Sequence, residues 1–196
     1  MPSPRSFLVL FLALLVAMPA LAKTAGEAPK PLGTFGNWHA FAYTEHDQQV
    51  CYMALTKNAV PNKKFKRSEA RLMITHRPAE GSKDVISYTP GYLFRPESTV
   101  TVRVGTKTFD LFTAKDTAWA RDAATDRAIS KAVQSSKGMT LTGAPTQRGV
   151  AAVTDTLDLK GADIAYRAIG KACGVEVEAE KPAPKKPAGK LAKTKR

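Results

Sequence analysis

The clearest pattern in the chain is an alternation of hydrophobic and polar residues between positions 99 and 112. Valine occupies every second position up to Val104, Gly105-Thr106 follows, and Phe109 and Leu111 then alternate with polar residues. A period of two places alternate side chains on one face of a strand, and glycine supplies the positive φ that the first position of a two-residue turn needs. The pattern predicts a β-hairpin whose valines, Phe109 and Leu111 share one buried face.

Further short segments are rich in aromatic and β-branched residues and are bounded by turn residues, which is typical of strands. They cover residues 34–43, 49–55, 71–76 and 84–88, and strand character returns at 139–141 and 150–159. Many short strands with few helices favour a β-sandwich over a parallel sheet, in which strands would alternate with helices. The predicted fold class is therefore mainly β, a sandwich with one or two short helices.

Two segments have the periodicity of short helices. Residues 122–137 are rich in alanine and lysine, with Asp122 placed to cap the first turn and Gly138 placed to end the helix. Residues 163–173 predict a second amphipathic helix. The expected buried stripe of the second helix consists of Ile164, Ala168, Ile169 and Ala172.

The N-terminus has the pattern of a secretory signal peptide. Arg5 precedes an unbroken apolar run from residue 7 to 17, and Ala20-Leu21-Ala22 supplies the small residues of a cleavage site. The run is shorter than the roughly 20 residues that span a bilayer, so we expect cleavage before Lys23. No later segment is apolar enough to span a membrane, which predicts a mature chain without a transmembrane segment.

Composition divides the rest of the chain. Residues 1–22 are the predicted signal peptide, 23–33 a linker with several prolines and glycines, and 34–174 one domain of ordinary size. Residues 175–196 shift abruptly to Glu, Lys, Pro and Ala, and end in KPAPKKPAGKLAKTKR. This tail has no apolar face, so we predict that it is disordered.

Export changes how the cysteines and the charge are interpreted. Cys51 and Cys173 would face an oxidising compartment, where a pair of cysteines is expected to form a disulfide. A redox couple usually has its two cysteines close together in sequence, and a zinc site needs four ligands at recognisable spacing, so neither alternative fits this pair. The formal net charge is +13, and loss of Arg5 with the signal peptide leaves +12. Outside the inner membrane the abundant polyanions are lipid headgroups and lipopolysaccharide, so nucleic acid is not the expected partner.

Candidate catalytic and metal-binding residues have simpler structural interpretations. The three histidines, His39, His46 and His76, show no spacing that would bring them together, and a half-exposed ring is expected for His76 at a strand end. We therefore predict no catalytic residue, no metal site and no cofactor. Two further sets of residues are interpreted as parts of the fold. The acids Asp116, Asp122 and Asp126 lie around a helix start, where Arg121 and Arg127 could neutralise them. The tryptophans Trp38 and Trp119 are expected to pack in the core.

Two basic segments are candidates for contact with an anionic surface. The loop 62–67 reads NKKFKR, and its cations surround Phe65. A solvated loop without a specific role is the alternative, and both interpretations stay open at this point. The candidate contact residues are Lys63, Lys64, Lys66 and Arg67 in the loop, and Lys185, Lys186, Lys190, Lys193, Lys195 and Arg196 in the tail.

An ordered series of motifs resembles the invasion-associated locus B family of exported bacterial proteins. The series runs FGNW, CYMAL, LMITHRP, GYLFRPESTVTV, FDLFT, DTAWARDAATDRA, TQRG, TDTLDLKG and KAC, between about Phe35 and Cys173. The resemblance implies an immunoglobulin-like β-sandwich, a periplasmic or surface location, and no established enzymatic activity. It supports the Cys51–Cys173 pair, because both cysteines lie inside matching motifs. It carries over no catalytic residues.

Three functions remain open at the level of sequence. The first is a non-enzymatic envelope module that binds an unknown protein or an anionic surface. The second is a structural or stress-related periplasmic factor, and the third is an uncharacterised hydrolase. The export signal, the basic net charge and the absence of a catalytic constellation in the sequence favour the first.

Overall fold

The computed structural model describes residues 28–58 and 65–177. Within this part of the chain, ten strands pair into one antiparallel sheet in the order β1-β2-β3-β4-β5-β8-β7-β6-β9-β10. The strands are β1 (Lys30–Phe35), β2 (Trp38–Glu45), β3 (Gln48–Lys57), β4 (Ala70–Arg77), β5 (Ser82–Thr89), β6 (Thr99–Val104), β7 (Lys107–Ala114), β8 (Thr117–Trp119), β9 (Gly138–Gly143) and β10 (Val153–Asp158). The helices are α1 (Ala123–Ser135) and α2 (Ala162–Ala172), with a 3₁₀ turn at Pro78–Glu80.

The predicted hairpin is confirmed as β6 and β7. Gly105 has a φ of 59°, and Val102 lies opposite Phe109 in the register. The three valines of β6 and Leu111 of β7 are buried, while Phe109 is partly exposed. Alternation therefore identified both the strands and the face that enters the core.

The first predicted strand, 34–43, is wrong, because the chain turns back within it. β1 and β2 form a hairpin that turns at Gly36-Asn37, and β1 already begins at Lys30. Gly36 has a φ of 59°, and a Cβ there would lie 2.3 Å from the carbonyl oxygen of Lys160. Only glycine fits this turn, because the loop before α2 presses against it.

The sheet folds over itself around one core, which gives the predicted mainly β, sandwich-like fold. β1 and β10 are at opposite ends of the strand order, yet the amide of Asn37, in the β1–β2 turn, donates a 3.0 Å hydrogen bond to the carbonyl of Lys160 just after β10. Trp38 is fully buried in this core, as predicted. Trp119 was also predicted to be buried, but it is 37% exposed because it points outward from the short strand β8, which the sequence did not predict.

Both predicted helices are present, with corrections to their ends and faces. Asp122 caps α1 by accepting a 2.7 Å hydrogen bond from the amide of Thr125, as predicted. α1 ends at Ser135 rather than at Gly138, which begins β9. The predicted stripe of α2 is partly wrong, because Ile164 is 47% exposed. The buried residues of α2 are Ala162, Ala165, Tyr166, Ile169 and Gly170.

The hydrogen bonding of Tyr166 explains the rotation of α2. Its hydroxyl donates a 2.5 Å hydrogen bond to the buried carboxylate of Asp84 at the start of β5, which fixes the face that α2 presents to the sheet. Beyond the helix, Val175 and Val177 still pack against the core, although the tail was predicted to begin at residue 175. No helix within residues 28–58 and 65–177 is both long and apolar enough to cross a membrane.

The predicted disulfide between Cys51 and Cys173 is present. It joins the middle of β3 to the C-terminal end of α2, and both cysteines are buried. The two residues are 122 positions apart in sequence. The bridge therefore ties the last helix to the centre of the sheet.

A second long-range connection is a buried ion pair between Arg67 and Asp155. The two guanidinium nitrogens of Arg67 donate to the two carboxylate oxygens of Asp155, each at 2.6 Å. The hydroxyl of Tyr88 also donates to Asp155 at 2.5 Å, and the ammonium of Lys57 lies 3.2 Å away. Asp155 is fully buried, so this network fastens β10 to β3, β5 and the loop before β4.

The network sets the ionisation of its members. Burial alone would raise the pKa of Asp155, but the hydrogen bonds from Arg67 and Tyr88 and the charge of the guanidinium together hold that pKa below its ordinary value. The pKa of Arg67 is raised by its hydrogen bonds to Asp155, and that of Tyr88 is raised by burial and by its hydrogen bond to the same carboxylate. The charged form of Asp155 is therefore the one that the fold stabilises.

We predict that replacing both cysteines, Cys51→Ser with Cys173→Ser, lowers the free energy of unfolding by about 2–5 kcal/mol, the usual result of removing a native bridge from a small exported domain. Urea denaturation of the oxidised wild type, the reduced wild type and the double variant measures the difference. The reduced wild type should match the variant. Equal midpoints for all three samples would show that the bridge adds nothing to stability.

We predict that Asp155→Asn lowers the free energy of unfolding at pH 7 by about 3–5 kcal/mol, because it leaves Arg67 buried without its counter-charge. Since the pKa of Asp155 is lower in the folded chain than in the unfolded one, its contribution is complete above about pH 4 and is lost as the pH falls further. The wild type should therefore lose stability more steeply in acid than the variant. Urea denaturation between neutral and acidic pH measures both effects.

Asp158→Asn is the matched control, because Asp158 is on the same strand but exposed, and its carboxylate accepts the backbone amide of Lys160 instead of a buried cation. A loss of the same size in this control would contradict the role assigned to Asp155.

Candidate functional site

The basic loop 62–67 is only partly within the described residues. Lys63 and Lys64 lie outside them, as do the six candidate contact residues of the tail, so these remain predictions. Lys66 is exposed, as contact with a surface requires. Arg67 is different: its side chain is only 8% exposed and its guanidinium is held by Asp155 and the carbonyl of Pro90. Arg67 therefore positions the loop and is not available to a partner.

Three loops contact one another near Arg67: the loop before β4 and the loops 90–98 and 144–152. The ring of Phe65 packs edge-on against Tyr92 with 5.4 Å between centroids, and the amide of Ser68 donates to the carbonyl of Gly91 at 3.0 Å. These contacts join the loop before β4 to the loop 90–98 between β5 and β6. The amide of Thr146 donates to the carbonyl of Leu93 at 2.9 Å, which adds the loop 144–152 between β9 and β10.

The convergence of these loops forms a surface that we call the basic tip, defined by Lys66, Leu93, Arg95 and Arg148. The three cations are exposed, and Leu93 is 57% exposed. Within the described part of the chain, none of the three cations takes part in an ion pair. The acids of the same loops are Glu69, which forms an ion pair with Arg71, and Glu97, so the three cations of the basic tip leave the surface with an excess of positive charge. Lys66 was predicted from its basic loop, whereas Arg95 and Arg148 carry no such signal in the sequence.

The histidines do not converge into a catalytic group. His39 is exposed on the outer face of β2, and His46 is exposed in the β2–β3 turn. His76 was expected to be half-exposed, but it is fully buried, because it continues the inward-facing positions of β4 and lies opposite Cys51. Its Nδ1 accepts a hydrogen bond from the amide of Asp84 at 3.1 Å, and burial lowers its pKa. The buried ring is therefore neutral and its acceptor nitrogen is occupied.

A buried polar cluster surrounds Asp84. Its carboxylate accepts hydrogen bonds from the hydroxyl of Tyr166 at 2.5 Å and from that of Ser130 at 3.1 Å. Burial raises the pKa of Tyr166, and the hydrogen bond to Asp84 adds to the effect. The cluster faces a cavity of about 340 Å³ whose rim includes Lys83 and Arg127. Ser130 donates to a carboxylate rather than to the imidazole of His76, so the cluster is not arranged as a serine–histidine pair and instead joins both helices to β5.

Asp122 and Asp126 at the start of α1 have structural roles, as predicted, but among the described residues neither forms an ion pair with Arg121 or Arg127. The pKa of Asp122 is lowered by the hydrogen bonds from Thr125 that cap the helix. Asp126 is buried and accepts the amide of Ile86 at 2.8 Å, while burial raises its pKa. Arg121 lies over the ring of Phe112 at 5.7 Å instead of pairing with Asp122. Within residues 28–58 and 65–177, no group of three or more His, Cys, Asp or Glu side chains is placed to hold a metal ion.

A second exposed surface is the aromatic outer face of the sheet. Phe41 and Tyr52 stack across β2 and β3 with 5.1 Å between centroids, and Trp119 lies opposite Phe112 across β8 and β7. A shallow open groove of about 470 Å³ is lined by Tyr52 on one strand and Trp119 on another. Arg77, at one end of the groove, is engaged by the carboxylate of Glu45, which lowers the pKa of that carboxylate. Cross-strand contacts between these rings stabilise the sheet.

Comparison with known proteins agrees with the motifs in the sequence. Residues 38–170 match the family described as Invasion associated locus B (IalB) protein. Among solved structures, the crystal structure of invasion associated protein B from Bartonella henselae is similar, with a TM-score of 0.52 and 16% identity over 74% of this chain and 97% of that chain. At this identity the likeness concerns the fold. No curated protein matches the chain significantly. Because the family match spans well over half of the sequence, the chain belongs to the Invasion associated locus B (IalB) protein family.

Proposed function

We propose that this chain is a non-enzymatic exported module that binds an anionic surface of the cell envelope or of a host through its basic tip and its basic tail. The family is one of exported bacterial proteins, which supports an extracytoplasmic role. The observation that carries the proposal is the convergence of Lys66, Arg95 and Arg148 from three separate loops onto one exposed surface. Lys63 and Lys64, adjacent in sequence, would add to the same charge.

The arrangement suits long-range attraction better than a single specific contact. Each lysine or arginine near an anionic surface contributes on the order of 1 kcal/mol at moderate salt, and screening limits its reach to about 10 Å at 0.1 M. Cations gathered within one surface act together within that distance, whereas cations scattered around the domain cannot all approach a flat surface at once. The contacts of Arg67 with Asp155 hold one of the three loops in place, so the cluster does not have to form on binding.

The buried polar side chains support the non-enzymatic part of the proposal. The carboxylate of Asp155 is occupied by Arg67 and Tyr88, and that of Asp84 by Tyr166 and Ser130. Each of these groups has a partner that joins two elements of the fold. Their hydrogen bonds account for their burial, because a buried polar group without partners would be destabilising.

We predict that changing Lys66, Arg95 and Arg148 together to Ser weakens binding to vesicles made of equal parts phosphatidylglycerol and phosphatidylcholine by at least ten-fold at low salt. The reason is the loss of three charges from one surface, each worth on the order of 1 kcal/mol. Co-sedimentation of the full exported chain with vesicles measures the change. The difference should shrink towards 1 M salt, where the screening length is about 3 Å.

The matched control removes three exposed cations from elsewhere, by changing Arg103, Lys107 and Lys137 to Ser. Arg103 and Lys107 lie towards the far end of the β6–β7 hairpin from the loop 90–98, and Lys137 follows α1. This variant has the same net charge as the tip variant. If both bind equally well, net charge governs binding and the basic tip has no special role.

Deletion of residues 178–196 is the second arm of the same test, since the tail carries Lys185, Lys186, Lys190, Lys193, Lys195 and Arg196. We expect weaker binding with an unchanged free energy of unfolding. A deletion that binds as well as the full chain would remove the tail from the proposal and leave the basic tip alone.

A further inference from the structure

We propose that the basic tip docks on an anionic phospholipid bilayer and that Leu93 inserts into the boundary between headgroups and acyl chains. This inference rests on the proposed function and names its target. The motivating observation is an exposed leucine on loops that carry exposed cations. Leu93 is 57% exposed, Arg95 is two residues further along, and contacts between loops bring the segments of Lys66 and Arg148 against the segment of Leu93.

Leu93 differs from the other exposed apolar side chains. Among the described residues, the large exposed hydrophobic side chains are those of Leu93, Trp119 and Ile164. Trp119 is on the outer face of the sheet, where it lines the open groove, and Ile164 is on α2 near the ion pair between Arg167 and Asp163. Of the three, only Leu93 lies in a loop, and that loop carries the exposed Arg95 and Glu97 and is hydrogen-bonded to the loop that carries Arg148.

The backbone on both sides of Leu93 is fixed, so its exposure is built into the fold. Phe94, the next residue, is buried, and its amide donates to the carbonyl of Lys115 at 2.8 Å. Tyr92, the preceding residue, packs against Phe65 and donates its hydroxyl to the carbonyl of Gly143 at 3.3 Å. Because both neighbours point into the domain, the side chain between them is held outward.

The basic tip combines charged and apolar side chains in the way that a membrane interface requires, with charges for the phosphate groups and an apolar side chain for the layer beneath them. Lysine and arginine side chains have long apolar stems, so their charged ends can stay with phosphate groups while a neighbouring leucine goes deeper. The half-buried rings of Phe65 and Tyr92 lie behind the leucine, and aromatic rings of this kind favour the headgroup level. A shallow apolar contact and several cations together give interfacial binding that neither gives alone.

A protein partner fits the tip less well than a bilayer does. The centre of a stable protein interface is depleted in charged residues and is built from several large apolar side chains. The tip has one fully projecting apolar side chain with cations on all three loops around it. Charge complementarity therefore favours a surface of phosphate groups with an apolar layer just beneath them.

The experiment compares Leu93→Ser with Ile164→Ser in the full exported chain. Both remove one exposed apolar side chain, so neither should change the midpoint of urea unfolding. With vesicles of equal parts phosphatidylglycerol and phosphatidylcholine, Leu93→Ser should lower the partition coefficient about ten-fold, the effect of withdrawing one leucine from an apolar layer. Ile164→Ser should bind like the wild type. At 1 M salt, Leu93→Ser should lower whatever binding remains, because insertion does not depend on screening.

The depth of residue 93 in the bilayer is measured by tryptophan fluorescence with Leu93→Trp in a Trp119→Phe background. The remaining native tryptophan, Trp38, is buried. Emission of the new tryptophan should shift to the blue with anionic vesicles and should be quenched by lipids brominated on their acyl chains. Ile164→Trp in the same background should show neither effect. An unquenched Leu93→Trp on vesicles that the protein binds would overturn the inference.

The remaining outcomes separate this inference from the proposed function. If the triple charge variant loses binding while Leu93→Ser binds like the wild type, the surface contact is purely electrostatic and insertion is refuted. If the chain binds lipopolysaccharide but not phospholipid vesicles, the bilayer is refuted as the target while the anionic surface stands. If neither variant differs from the wild type on any anionic surface, both proposals fail.

Discussion

The buried carboxylate of Asp155 is the constraint on which the arrangement of the domain depends. A fully buried aspartate must be compensated inside the protein, and here Arg67 meets both of its oxygens while Tyr88 and Lys57 supply further contacts. These partners come from three parts of the chain that precede Asp155 by 67 to 98 positions. The ion pair between Arg67 and Asp155 therefore forms only when β10 lies across the part of the sheet that contains β3 and β5. It thereby links closure of the sheet to the position of the loop before β4, which carries Lys66 of the basic tip.

Local physics accounts for the features that the sequence predicted. The alternation from 99 to 112, the glycine at the hairpin turn and the aspartate cap of α1 each depend on residues within a few positions of one another. The errors involve distant partners. The turn at Gly36 requires the close approach of Lys160, and the inward rotation of Tyr166 requires Asp84. No short window of sequence contains both members of such a pair.

The candidate site shows the same division. Lys66 was predicted because it lies in a visibly basic loop, but Arg67 in the same loop points inward to a carboxylate 88 positions later. The sequence contains a weak indication of the partner of Arg67. Asp155 and Leu157 alternate on the inward face of β10, and an acid at such a position needs a buried counter-charge. Arg95 and Arg148 are isolated in sequence, and only hydrogen bonds between loops bring them beside Lys66.

The positions of the two cysteines also set the order in which the domain can be completed. An exported chain emerges from its N-terminus, so the thiol of Cys51 reaches the oxidising side while 122 residues that include most of the sheet have yet to follow. Cys173 lies at the end of α2, after every strand, and can meet Cys51 only when that helix has docked on β3. The bridge can therefore close only after every strand and the last helix are present, and a chain that ends before α2 holds Cys51 without its partner.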